Sequence, residues 1–181
     1  MAGATGAALV AMVGRLTTGK KGYEDVTPRA EELVGEADAA REAFLLFADR
    51  DAEAFDGVMA AFKLPKESAE QRAGRSEAIG LAFEAAATVP LRVARLAVEV
   101  LALALESIRT GNVNAASDGA AGAQVLSAAA RSAIYNVEIN LGSMKDASRI
   151  EELRSEVEAL ENRCAELVSE STLAFHRRLS E

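Results

Sequence analysis

An all-α bundle of about five or six long helices is the fold this sequence predicts, and three observations predict it. Strong helix formers dominate the 181 residues: alanine supplies about one in five, leucine and glutamate are plentiful, and there are only three prolines. Apolar residues recur at three- and four-residue spacing along most of the chain. No stretch shows strand-like alternation or a hairpin turn, and no repeat of fixed period is present. Half the residues are hydrophobic, 27% are charged and aromatics make up only 4%, a composition that buries a core without metals or disulfides.

The first helix is marked by Ala7, Leu9, Val10, Val13 and Leu16, and it ends at Thr17-Thr18-Gly19 before the basic turn Lys20-Lys21-Gly22. Thr27-Pro28 reads as an N-cap followed by proline at the first helical position, opening a helix that carries Leu33, Val34, Ala37, Ala40, Phe44 and Phe47. A break or kink at Asp49 to Asp51 is expected, then a short helix from Ala52 to Phe62 stopped by Leu64-Pro65. Ser68 or Ser76 starts the next helix, with Ile79, Phe83 and Ala86 on its apolar face, and Pro90 is expected to kink or split it before Leu91 to Ile108.

Gly111-Asn112-Val113-Asn114 stops that helix and restarts the chain, with Asn114 as the expected cap. From Ala115 to about Met144 the sequence is rich in alanine and glycine. Ala116, Gly119, Ala120, Gly122 and Ala123 would let another backbone come close, which places this helix in the middle of the bundle. The last segment, Ala147 to Ser180, repeats Ile150, Leu153, Val157, Leu160, Cys164, Leu167 and Ser171 in three-four alternation, the pattern of a helix packed along one long neighbour.

A formal charge of −8 and a pI near 4.9 speak against general nucleic-acid binding, which needs a Lys/Arg surface to displace counterions. One cysteine, Cys164, makes no internal disulfide, and one histidine, His176, builds neither a histidine metal site nor a histidine relay. A reducing cytoplasm and metal-free chemistry are therefore expected. The apolar opening from Ala2 to Val13 lacks the basic lead of a signal peptide. Ala85 to Ile108 is interrupted by Pro90, Arg92, Arg95 and Glu99, so no membrane span is expected.

Three segments carry polar side chains suited to a site. In Gly19-Lys20-Lys21-Gly22-Tyr23-Glu24, two lysines beside a helix end either clamp an anion or stand as solvated charge. In Phe62-Lys63-Leu64-Pro65-Lys66, the lysines either meet an anion or complement a helix end. In Gly111 to Asp118, Ser117 and Asp118 fall in or near a first helical turn, where a carboxylate is favoured whether it works or merely starts the helix. Asp118, Ser132, Asn136 and Asn140 share one helical stripe, yet Asp118 and Asn136 stand about 27 Å apart along it and cannot grip one small ligand together. Cys164 reads as core, His176 as surface, and Asp49-Arg50-Asp51 as solvated charge with a paired-carboxylate site as its alternative.

Four blocks in order, Arg15 to Glu24, Ala54 to Lys66, Gly111 to Asp118 and Asn136 to Leu141, resemble the cyclodeaminase/cyclohydrolase family. This is the family of the cyclodeaminase domain of formiminotransferase-cyclodeaminase and of stand-alone methenyltetrahydrofolate cyclohydrolases. The resemblance implies a single domain over residues 1–181, an all-helical homodimer, and action at the amidine or amidinium carbon of a tetrahydrofolate derivative as substrate. No tightly bound cofactor, metal or membrane is implied. It also implies Asp118 as the catalytic carboxylate, with substrate contacts from Lys20, Lys21, Tyr23, Lys66, Asn112, Asn114 and Ser117. Relatives carry a further helix and a Pro-Gly-Gly-Gly-Ser-like loop before the segment that starts here at Ala2, and this sequence shows neither. A non-catalytic folate-binding or structural helical dimer is the alternative that difference raises, and a helical interaction module built on the last helix is a third.

Overall fold

In the computed structural model, which describes residues 1–180, five helices pack side by side. They are α1 (Ala2–Thr17), α2 (Thr27–Phe62), α3 (Ala69–Thr110), α4 (Ala116–Leu141) and α5 (Ala147–Arg178), with single 3-10 turns at Glu24–Val26 and Val113–Ala115. No strand occurs among the described residues. None of the helices is long and apolar enough to cross a membrane.

Contacts fix the directions. Arg29 on α2 meets Glu106 on α3, while Arg75 near the start of α3 donates to the Phe62 carbonyl at the end of α2, so these two helices run antiparallel over their whole length. α4 returns along α3, with Asn140 beside Ala86. α5 runs parallel to α3, bonding to it from Arg149–Glu84 through Arg95–Glu156 to Arg109–Glu170. Leu33, Phe44, Leu101, Ile108, Leu126 and Leu167 are buried in one part of the core, and Leu91, Ile134, Val137, Leu153 and Val157 in the other. Burying side chains of this size contributes about 1.5–3 kcal/mol each.

Several boundaries differ from the sequence expectation. α2 is continuous through Asp49 to Asp51, with no break before Ala52. Asp49, Arg50 and Asp51 are exposed, and with no glycine or proline there nothing interrupts the backbone ladder. Thr27 is the first residue of α2 rather than its cap, and its hydroxyl donates to the Tyr23 carbonyl at 3.0 Å. Asn114 caps nothing. Asn112 caps the Val113–Ala115 turn, its side-chain oxygen accepting from the Asn114 N–H at 3.1 Å, and α4 begins at Ala116 with Ala115 at its N-cap and no side-chain cap bond. Ser68, not Ser76, starts α3, through a reciprocal capping box with Gln71. Pro90 neither splits nor ends α3. The buried stripe of α5, Leu153, Val157, Cys164, Leu167 and Ser171, faces both α3 and α4 rather than one neighbour.

Candidate active site

The predicted polar residues fall at two places. At the end of the bundle where α1 and α3 finish, Gly19 and Gly22 adopt positive φ of 70° and 88°, which lets the chain turn sharply from α1 into the Glu24–Val26 turn. That turn is stitched to the α3–α4 loop. The Asn112 N–H donates to the Thr17 hydroxyl at 2.8 Å, Asn112 Nδ2 donates to the Leu16 carbonyl at 2.9 Å, and the Val113 N–H donates to the Tyr23 hydroxyl at 3.0 Å. Asn112 is buried, Tyr23 half-buried, and Lys20 and Lys21 are exposed. Asp118 is half-buried in the first turn of α4, with Ser117 and Asn114 exposed beside it. Backbone N–H groups at a helix start favour negative charge there. Glu24 is held below the ordinary carboxyl range by its own N–H and by the Gly22 N–H, which donates at 2.9 Å.

Lys66 is not part of this cluster. α2 carries the chain through 36 residues, about 54 Å, from the basic turn to the loop that holds Lys66. Arg72 donates to the Lys66 and Glu67 carbonyls and pins that loop.

The second place is an open surface pocket of about 330 Å³ lined from four helices, in which Asp51, Ser132 and Asn136 are all exposed. Met1, Ala2 and Gly3 close one side, Phe44, Phe47 and Asp51 of α2 another, Pro90 and Val93 of α3 a third, and Ser132 and Asn136 of α4 the fourth. A Cβ on Gly3 would stand 2.6 Å from the Phe44 ring, so only glycine lets α1 seat against that aromatic wall. Its volume lies in the range of small-molecule sites, and its lining combines apolar and aromatic groups with a few polar ones. Those polar groups are one carboxylate, one carboxamide and one hydroxyl. Along α4, Asp118 lies 14 residues from Ser132, about 21 Å, so the cavity and the Asp118 cluster are separate within one subunit.

Ser132 and Asn136 share the predicted stripe, Phe44 and Phe47 belong to the core as expected, and Asp51 is exposed as expected, yet all five line the same pocket. Their convergence depends on four helices meeting, and no local spacing encodes that. The DRDAEAF run was the available signal, through its alternative of a carboxylate site.

Residues 1–159 match the family described as formiminotransferase-cyclodeaminase. A methenyltetrahydrofolate cyclohydrolase from Methylorubrum extorquens is 41% identical over 162 residues, which span 88% of this chain and 77% of that protein. A formimidoyltransferase-cyclodeaminase from Rattus norvegicus is 32% identical over 157 residues, 87% of this chain but 29% of the longer protein. Among solved structures, the crystal structure of formiminotetrahydrofolate cyclodeaminase from Thermotoga maritima superposes with a TM-score of 0.87 at 30% identity, covering 98% of this chain and 85% of that one.

Proposed function

The chain belongs to the formiminotransferase-cyclodeaminase family, and from that membership we propose that it is an enzyme acting on the one-carbon unit of a tetrahydrofolate, as a formiminotetrahydrofolate cyclodeaminase or a methenyltetrahydrofolate cyclohydrolase. Formimidoyl transfer by the longer relatives is not carried over, because the chain spans less than a third of the rat protein. The observation that carries the site is the pocket whose lining brings a single carboxylate, Asp51, together with the Asn136 carboxamide, the Ser132 hydroxyl and apolar and aromatic side chains.

Both reactions occur at one carbon. In cyclodeamination the anilino nitrogen attacks the formimino carbon, loses its proton, and ammonia departs carrying one as the methenyl bridge closes. In hydrolysis water attacks the bridging amidinium carbon and loses a proton, and a proton reaches the departing ring nitrogen as the formyl product opens. Each needs one group that takes a proton on one side and returns it on the other, and a carboxylate does both. It also opposes the positive charge of the amidinium. Asp51 is placed for that work, Asn136 and Ser132 orient the polar edge of the substrate, and Phe44, Phe47, Pro90 and Val93 receive its flat ring.

The basic turn has a different part. Lys20 and Lys21 would attract the carboxylates of the glutamate tail, with Tyr23, Asn112, Asn114 and Ser117 shaping the loop beside them. Lys66, exposed 15 residues beyond Asp51 in sequence, is a second basic contact for such a tail. A second reading keeps Asp118 as the proton-transfer residue. Its support is the half-buried position in the first turn of α4, next to the basic turn. A homodimer is part of the proposal. Leu46, Phe55, Leu81 and Ile139 are 62–72% exposed, apolar side chains that a partner subunit would cover. No tightly bound cofactor is required for either reaction, and a cytoplasmic location fits a folate substrate.

Parallel spectrophotometric assays with formiminotetrahydrofolate and methenyltetrahydrofolate test the reading. Methenyltetrahydrofolate absorbs in the near ultraviolet, so its appearance from the first substrate reports deamination and its loss above the uncatalysed rate reports hydrolysis. Turnover of neither substrate with folate still bound selects the non-catalytic alternative, and the absence of both turnover and binding overturns the folate assignment.

A further inference from the structure

Pro90 has no N–H to give, which leaves the Ala86 carbonyl four residues back without its helical donor. α3 nevertheless runs unbroken from Ala69 to Thr110. The missing donor comes from the neighbouring helix. Asn140 Nδ2 on α4 donates to the Ala86 carbonyl at 3.1 Å and to the Asn136 carbonyl, one turn back on its own helix, at 2.9 Å. One carboxamide therefore joins α3 beside its proline to α4 at Asn136.

Pro90 and Asn136 both line the Asp51 cavity, whereas Asn140 does not. We infer that Asn140 is a positioning residue: by occupying the carbonyl that Pro90 frees, it sets the spacing of the α3 and α4 walls and so the place of Asn136 relative to Asp51. This rests on the reading of the cavity as the reaction site. The chemistry calls for such a device. A proline in a helix interior loosens the turn before it, and the wall it loosens is the one that would receive the substrate ring. A misplacement of about 1 Å at a reacting centre costs about a hundredfold in rate, so a single interhelical hydrogen bond at this point reaches the chemistry without touching the substrate.

The test is a double-mutant cycle between Asn140→Leu and Pro90→Ala, read by kcat, KM and thermal midpoint. Alanine at 90 restores an N–H for the Ala86 carbonyl, which removes the need for Asn140. With proline present, Asn140→Leu is expected to lower kcat about tenfold or more while KM moves much less. Measured against Pro90→Ala as its own baseline, the same change is expected to have little further effect on kcat. Two results overturn the inference. In one, Asn140→Leu lowers the thermal midpoint but leaves kcat and KM alone, which makes it a structural clamp only. In the other, kcat falls equally in both backgrounds, so Asn140 does not act through Ala86. If Asn140→Leu does not fold, Asn140→Asp keeps the volume, removes the donor and completes the same cycle. Failure of the wild-type chain to turn over either folate overturns the functional reading and this role in it. The thermal cycle still reports separately whether Asn140 and Pro90 are coupled.

Discussion

The Val113 N–H donates to the Tyr23 hydroxyl at 3.0 Å, joining two residues 90 positions apart and fixing the basic turn against the start of α4. Tyr23→Phe removes that acceptor and leaves the aromatic packing. It is expected to cost about 0.5–1.5 kcal/mol of stability in chemical denaturation. If the lysines hold the glutamate tail, Lys20→Ala and Lys21→Ala raise KM for a polyglutamylated folate while leaving kcat near wild type. The effect is largest at low salt, where exposed charges are least screened. An unchanged KM in both variants at low salt returns the lysines to solvated charge.

A second prediction concerns assembly. Ile139 is 72% exposed on α4 and Phe55 62% exposed on α2. In a homodimer that covers them, Ile139→Glu and Phe55→Glu place a charge in an apolar interface and shift sedimentation from dimer to monomer. Helix content by circular dichroism should hold, because neither side chain is in the subunit core. A wild-type monomer at micromolar concentration rejects the dimer.

The stripe from Ile150 to Ser171 is legible because burial along one helix is a periodic, local signal: Leu153, Val157, Cys164, Leu167 and Ser171 are buried, and Ile150 and Leu160 half-buried. The basic turn is legible because glycine at positive φ and a helix stop are local too. Pro90 reads as a kink or a split because local rules leave the Ala86 carbonyl without a donor, and a donor to that carbonyl stands 54 residues along the chain at Asn140. Asp51 reads as solvated charge, and it is exposed, but its place in a pocket lining is not a local signal. Its own helix leaves it exposed, and only the approach of α1, α3 and α4 turns that exposed carboxylate into the lining of a cavity.

A third prediction follows from Arg95 and Glu156, which bridge α3 and α5 through a two-pronged ion pair. The Arg95 hydrogen bonds hold the Glu156 carboxyl below its ordinary range. A depressed folded-state value means the stabilisation is present in full above the unfolded carboxyl's range and is lost as pH falls through the folded value. Both side chains are partly exposed, so the contribution is about 0.2–1 kcal/mol. Glu156→Gln should therefore be less stable than wild type at neutral pH and equal to it in strong acid. A gap that stays constant with pH in urea titrations shows that the charge contributes nothing.

The last prediction separates the two carboxylates. Asp51 lines a cavity of about 330 Å³ with Asn136 and Ser132, whereas Asp118 sits in the first turn of α4, about 21 Å along that helix from Ser132. Replacing either carboxylate by its amide keeps shape and removes charge. For the group that moves the proton, the expected loss is about a hundredfold or more in turnover with fold and assembly intact. For a carboxylate that only complements a helix start, the expected loss is about 0.3–1 kcal/mol of stability with turnover unchanged. The proposed site expects the first outcome for Asp51→Asn and the second for Asp118→Asn, read by turnover and thermal midpoint on the same preparations. The opposite pattern moves the reaction to the head of α4, beside Lys20 and Lys21, and leaves the Asp51 cavity without a catalytic part.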